Sequence, residues 1–308
     1  MTTTHEQQDA TSAPSSAAPS ASMIPGSGQR NEGLRVWVDG EVFDDPAQAK
    51  VSAVDHGLVV GDGVFEAMKV TSAGVFATTL HLERLARSAN ALGLPAPDFD
   101  QIRGAIDAVV ADRSWDDGKI RITYTGGRGP LGSGSAFGPT LLVVAAEAYA
   151  RPADVCEIVT TPWTRNVHGA MTGVKTTSYG ENVRGLAYAD ANNAAEGIFI
   201  NSDGHLCEGT GTNIFTVFAD EVITPPLTAG PLAGITRALL LKWCPEIIER
   251  NLTLEEARRA DEVFVTSSLR DVQAVTRWDD LTYEAPGEQT ARISRVFAER
   301  SAAEIDPT

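Results

Sequence analysis

The chain has 308 residues, 43% of them apolar, which is enough for a sizeable core in one or two domains. Its formal net charge of −16 argues against nucleic acid and anionic membrane surfaces as partners. Three scattered cysteines (Cys156, Cys207, Cys244) form no disulfide framework or metal-ligand spacing, and no His-x-x-x-His pair occurs. A reducing, cytoplasmic setting and no metal site are therefore expected.

Residues 1–32 are rich in Thr, Ser, Ala, Pro and Gln, too polar to offset the entropy of ordering, and a disordered tail is expected there. The tail lacks the basic-then-apolar pattern of a secretory signal, and no apolar run approaches the ~18 residues of a membrane span. Residues 34–38 alternate and meet Asp39-Gly40, a strong hairpin signal, with a return strand over 41–43. Residues 54–66 contain close glycines without G-x-G-x-x-G spacing, which reads as a tight turn feeding a strand over 64–70. His81 opens an amphipathic helix to residue 91; its Arg84, taken alone, reads as a solvated helix residue. A second helix covers 99–112. Residues 119–125 alternate as a strand and run into a glycine loop, 126–132, that lacks a Walker lysine.

A strand over 140–145 closes a first domain, residues 33–147. Arg151-Pro152 marks a linker, 148–154, and residues 155–308 form a second, larger domain. In it the pattern predicts a strand over 156–160, a helix over 181–193, a strand over 197–201 and a turn at 202–204. Strands over 216–218 and 221–224 follow, then a helix after Gly234-Ile235-Thr236. That start reads either as a threonine N-cap or as a phosphate-binding helix terminus. A short helix at 255–257, a strand over 261–268 that ends in hydroxyls, and a helix over 289–304 complete the chain. No period of about 20–50 residues recurs, which excludes repeat architectures.

Lys175 lies among small, apolar and hydroxyl residues, in 174–179. A desolvated amine loses the hydration that favours its charged form and becomes a nucleophile near neutral pH, as a Schiff base to an aldehyde cofactor requires. A helix, a strand and a turn then separate Lys175 from Glu208, which sits beside small residues. A carboxylate there suits the ring proton of pyridoxal phosphate.

From about Leu34 to about Val275 the chain resembles the class IV (fold type IV) pyridoxal-phosphate enzymes, which include branched-chain and D-amino-acid aminotransferases and aminodeoxychorismate lyases. The resemblance rests on Asp55-His56-Gly57 through Glu66, on His81-x-x-Arg84-Leu85, and on Lys175, Glu208, Gly234-Ile235-Thr236 and Ser267-Ser268 in that order. It implies an α/β (α+β) fold with a small N-terminal and a larger C-terminal α/β domain, the cofactor between them, and usually a homodimer. It also implies that Arg84, Gly234, Ile235, Thr236, Ser267 and Ser268 bind the phosphate, and that Leu232 packs on the ring. Tyr179 and Asn213 would lie beside the cofactor, and Phe65 on the substrate side. Where D-amino-acid aminotransferases carry a carboxylate-binding arginine this chain has Gly126; Arg128, two residues on, is the candidate substitute. Ala67 replaces the glycine of branched-chain enzymes and the threonine of many lyases. The expected activity is transamination between an amino acid and a 2-oxo acid, with Lys175 as anchor and base. Aminodeoxychorismate lyase is the alternative, and a non-catalytic phosphate- or nucleotide-binding protein the remote one.

Overall fold

The structure is a computed structural model that describes residues 33–308; the disordered tail expected over 1–32 lies outside the described residues. Strands β1 (Arg35–Val38) and β2 (Glu41–Phe43) form the expected hairpin. Both turn residues take positive φ, 52° at Asp39 and 89° at Gly40, as a two-residue turn matched to strand twist requires. A short helix α1 (His56–Val59) is capped by Asp55, whose side chain accepts from the Gly57 N–H.

Next come β3 (Gly63–Thr71), β4 (Gly74–Val75), helices α2 (Thr78–Ala91) and α3 (Phe99–Val110), and strands β5 (Gly118–Thr125) and β6 (Leu141–Ala148). These strands form one six-stranded sheet in the order β2-β1-β6-β5-β3-β4. Alternation along β3 sends Val64 and Met68 under α2 and α3, against Leu82, Leu85, Ile102 and Ile106. Helix α2 starts three residues before the expected His81. Its N-cap, Ala77, has no capping side chain, and Asp306 near the other end of the chain accepts from Thr79 N–H (2.8 Å) and Thr79 Oγ1 (2.7 Å). A carboxylate at a helix start satisfies donors the helix leaves unpaired.

The second half runs β7 (Val155–Arg165), α4 (Gly180–Ala191), β8 (Glu196–Asn201), β9 (Leu206–Gly209), β10 (Asn213–Phe218), β11 (Glu221–Thr224), α5 (Ile235–Trp243), β12 (Ile248–Glu249), α6 (Leu254–Ala257), β13 (Glu262–Ser267), β14 (Asp271–Trp278), β15 (Leu281–Thr282) and α7 (Glu288–Ala303). Its strands form a nine-stranded sheet, β12-β11-β10-β13-β14-β7-β8-β9, with β15 on β14. Phe215, Val217 and Phe264 pack under α5 and α7, while Ile214, Val263 and Val265 face the opposite side with Leu252 and Ala257. Strands covered on both faces read as apolar runs rather than alternation. Five strands are absent from the sequence reading: the two-residue β4, β12 and β15, and the longer β9 and central β14. In β14, Gln273 and Arg277 interrupt the apolar pattern; both are satisfied by distant partners, Gln273 Nε2 by Ala153 O (2.6 Å) and Arg277 Nε by Glu157 (2.9 Å).

Candidate active site

Lys175 is held by backbone pairing with β3. Beyond the pairs at Val70 and Thr71, β3 has no partner from β4, and residues 174–178 take that edge. The Phe65 N–H donates to Lys175 O (3.0 Å), Thr176 bridges Val64, and Thr177 N–H and Thr176 Oγ1 both donate to Gly63 O. A side chain at Gly63 would begin 3.0 Å from Thr177 Oγ1 and 3.1 Å from Tyr124 O, so the approach there is tight. The Lys175 amine lies 4.4 Å from the centre of the Phe65 ring. Desolvation, with the Arg84 charge, lowers its pKa to about 8 against the opposing pull of Glu66 and Glu208.

Glu208 sits on β9 and is 9% exposed. Its Oε2 accepts from the Leu232 N–H (2.8 Å), and Oε1 lies 3.5 Å from Arg165 Nη2. Burial raises its pKa, while Arg165 and the Leu232 N–H favour the carboxylate. Arg165, at the end of β7, escaped the sequence reading, since nothing local separates it from a solvated arginine. In the fold its Nη1 meets Glu181 (3.0 Å) and Asn182 Oδ1 (3.3 Å), and its guanidinium stacks 4.3 Å from the Phe199 ring. Tyr179 donates to Thr210 O (3.0 Å), the carbonyl that also receives Asn182 Nδ2 (2.6 Å), and its ring meets Phe65 edge-on at 5.2 Å. Asn213 donates to Leu232 O (2.9 Å), and a Cβ at Gly234 would fall 2.0 Å from Asn213 Oδ1. Asn213 therefore braces the 232–234 turn.

At the other end, Gly234 is the N-cap of α5 and has no side chain to satisfy the first amides. Thr236 is the second helical residue, so the threonine N-cap expectation is corrected to a glycine N-cap. Arg84 is buried. Its Nε and Nη2 grip Glu66 at 2.8 and 2.6 Å, and its Nη1 donates to Ala233 O (2.9 Å). The solvated-helix reading of Arg84 fails on this geometry. Of its five N–H groups, three are engaged within the protein and two remain. Burial pushes the Glu66 pKa up, but Arg84 and His81 outweigh it and hold it at about 2.

These groups enclose a cavity of about 310 Å³. Arg84, Lys175, Tyr179, Glu208, Asn213 and Leu232 line it, with Gly234-Ile235-Thr236 and Ser267-Ser268 at its walls. Phe65 lies under the Lys175 amine without lining the cavity. Arg128 is exposed and outside it; its carbonyl accepts from Phe137 and Gly138, and it bridges Asp55. The glycine loop 126–132 is also outside the lining. Arg121 is likewise exposed and outside the lining, but its guanidinium lies 3.9 Å over the Phe65 ring. Register places it on the Phe65 face, because Ala67 pairs Arg121 and Phe65 pairs Thr123. A reactive amine, a buried carboxylate and an uncapped helix start beside hydroxyls fit an aldehyde that carries a ring nitrogen and a phosphate.

Residues 63–278 match the family described as amino-transferase class IV. A protein of Methanocaldococcus jannaschii, provisionally named a branched-chain-amino-acid aminotransferase, is 30% identical over 275 residues, 86% of this chain and 95% of its own. The D-alanine aminotransferase of Staphylococcus epidermidis is 29% identical over 254 residues, 80% of this chain and 89% of its own. The fold matches that of a branched-chain aminotransferase from Thermoproteus uzoniensis with a TM-score of 0.80 at 27% identity, covering 87% of this chain and 94% of that one.

Proposed function

This chain belongs to the class IV aminotransferases, and from that premise we propose that the cavity moves an amino group between an amino acid and a 2-oxo acid, with Lys175 as its reactive amine. The cofactor of the family is pyridoxal 5′-phosphate, which when bound supplies the electron sink for charge developing beside the substrate nitrogen. The observation that carries the reading is an amine lowered to about 8 that shares one cavity with a buried carboxylate. An amine of that pKa is about one-tenth unprotonated at pH ~7 and about half unprotonated at pH ~8, so it can hold an aldehyde and then take the proton from the carbon bearing the substrate nitrogen.

Glu208 would hold the proton of the ring nitrogen, and Arg165 and the Leu232 N–H favour its carboxylate form against burial. The two remaining N–H groups of Arg84, the first amides of α5 and the hydroxyls of Thr236, Ser267 and Ser268 hold the phosphate. Tyr179, Asn213 and Leu232 position the ring between these ends. Phe65 forms the floor beneath the amine, and Arg121, stacked on that floor, orients the substrate carboxylate; Arg128 has no such support.

The purified protein should be yellow, and borohydride should bleach it and leave the label on Lys175. A panel of amino donors and 2-oxo acids should then yield the exchanged pair. Pyruvate release from aminodeoxychorismate with no 2-oxo acid present would instead establish the lyase.

A homodimer, a cytoplasmic setting and a division into two lobes at residues 148–154 complete the reading. For the dimer, the support is three exposed large apolar side chains on two hydrogen-bonded segments: Leu58 (67% exposed), Leu131 (78%) and Phe137 (74%). For the cytoplasm, it is three buried free thiols. For the lobes, it is the passage from the six-stranded to the nine-stranded sheet between Ala148 and Val155.

A further inference from the structure

Ser268 faces the cavity, yet its Oγ is 3.2 Å from Nε2 of His81, a histidine with 0% exposure. The other ring nitrogen of His81 is 2.6 Å from Glu66 Oε2. Glu66 is also gripped by both prongs of Arg84, and this keeps it ionised. A carboxylate only accepts, so His81 Nδ1 must carry hydrogen. The state of Nε2 then decides where the Ser268 hydrogen points.

On a neutral ring Nε2 has only a lone pair, and Ser268 must donate to it. The cavity then meets the lone pairs of Ser268 Oγ, which repel an anion. On a protonated ring Nε2–H donates to Oγ, and the Ser268 hydrogen is released toward the cavity. Burial disfavours the protonated ring, as do the charges of Arg84 and Lys175, whereas Glu66 favours it. These three, from α2, from the strap beside β3 and from β3 itself, are the charged groups that face His81. A phosphate dianion at Ser268 adds a second negative charge and an acceptor for the released hydrogen.

We propose that Glu66, His81 and Ser268 form a relay that couples phosphate-ester binding in this cavity to the uptake of one proton by His81. The inference rests on reading the Ser268 end of the cavity as the phosphate end. His81 acts as a positioning residue, because it reaches the anion only through Ser268. The proton balances simply: one is taken from solvent onto Nε2, and the hydroxyl hydrogen turns from Nε2 to the phosphate oxygen. Affinity should therefore fall as pH rises, by up to about tenfold per pH unit for one linked proton.

The test uses the full chain stripped of cofactor and pyridoxine 5′-phosphate, which keeps ring and phosphate but has no aldehyde to join Lys175. Above pH ~7.5 its phosphate is already a dianion, since the second ionisation of such an ester lies near 6. Calorimetry in buffers of different ionisation heat counts the protons taken up. His81→Asn keeps an amide N–H for Glu66 and removes Nε2, while Ser268→Ala keeps His81 and removes its link to the anion. Wild type should take up close to one proton more than either variant, and His81→Asn should lose the pH dependence of affinity. Proton contributions from the ring nitrogen and Lys175 are common to all three and cancel in the difference. Ser268 is partly exposed, so Ser268→Ala carries the comparison if His81→Asn does not fold. Equal uptake in wild type and the folded variants overturns the relay and leaves the phosphate reading standing. Failure of the wild-type chain to bind either pyridoxine 5′-phosphate or inorganic phosphate overturns the phosphate reading and the relay with it.

Discussion

Replacing Glu66 with Gln removes the charge on which the inner wall of the site is built. Glu66 is completely buried, accepts from two nitrogens of Arg84 and pairs with His81 Nδ1. The drop of its pKa from an ordinary 4.5 to about 2 corresponds to about 3 kcal/mol of preferential stabilisation of the charged form. Loss of one partner from a buried ion pair typically costs about 3–5 kcal/mol, in agreement. The folded pKa lies below the unfolded one, so this stability is complete above pH ~4.5 and is lost as pH falls toward about 2. At neutral pH the variant must set an amide NH2 against donors of Arg84 or His81. Its cofactor-free form should melt some ~6–12 °C below wild type, taking about 3 kcal/mol at about 2–4 °C per kcal/mol for a large domain. Thermal denaturation followed by circular dichroism at pH 7.5 measures the gap, and a series toward acid should show it closing below pH ~4.5. A melting temperature within about 2 °C of wild type would refute the claim that this cluster is a net stabilising ion pair.

Lys175→Ala should abolish turnover while the phosphate contacts still retain cofactor; turnover without added amine would sink the assignment of Lys175. Capture of pyridoxal phosphate by the stripped wild-type chain should speed up as pH rises and level off above about 8, because the free amine is the form present above its lowered pKa; stopped-flow absorbance checks this, and a rate still climbing tenfold per unit at pH 9.5 would contradict it. Glu208→Gln should cut turnover by about 100-fold or more with the melting temperature preserved, since an amide cannot hold the ring proton; a variant that merely unfolds marks a structural role. Arg84→Ala should weaken cofactor affinity about tenfold to a hundredfold, and because it strands Glu66 it should also lower thermal stability, which a melt of the cofactor-free form would show. Arg121→Ala should raise the apparent KM for both donor and acceptor about tenfold or more, with a smaller effect from Arg128→Ala; the reverse order would return the carboxylate to Arg128.

Some of this protein is decided within a few residues of chain, and that part is legible in the sequence. Asp39-Gly40 specifies a turn because both positions need positive φ, and residues 119–125 specify a strand because alternate side chains must face opposite ways. Lys175 and Glu208 could be picked out by chemical type and order, Gly234 and the hydroxyls at 267–268 by the family resemblance, and the fold brings all of them to one cavity. Partner choice was not legible, because it depends on distance in space. Glu66 holds Arg84 from 18 residues away, Asp306 caps α2 from 227 residues away, and Arg165 reaches Glu208 from the end of another strand. Arg121 and Arg128 lie seven positions apart and look equally free in the sequence. Both are exposed in the fold, and only the register of β3 on β5 sets Arg121 over Phe65, while Arg128 lies in the loop beyond β5. Local rules name the groups able to do chemistry, while the energies of buried charges, which fall steeply with separation and desolvation, are set by the tertiary structure.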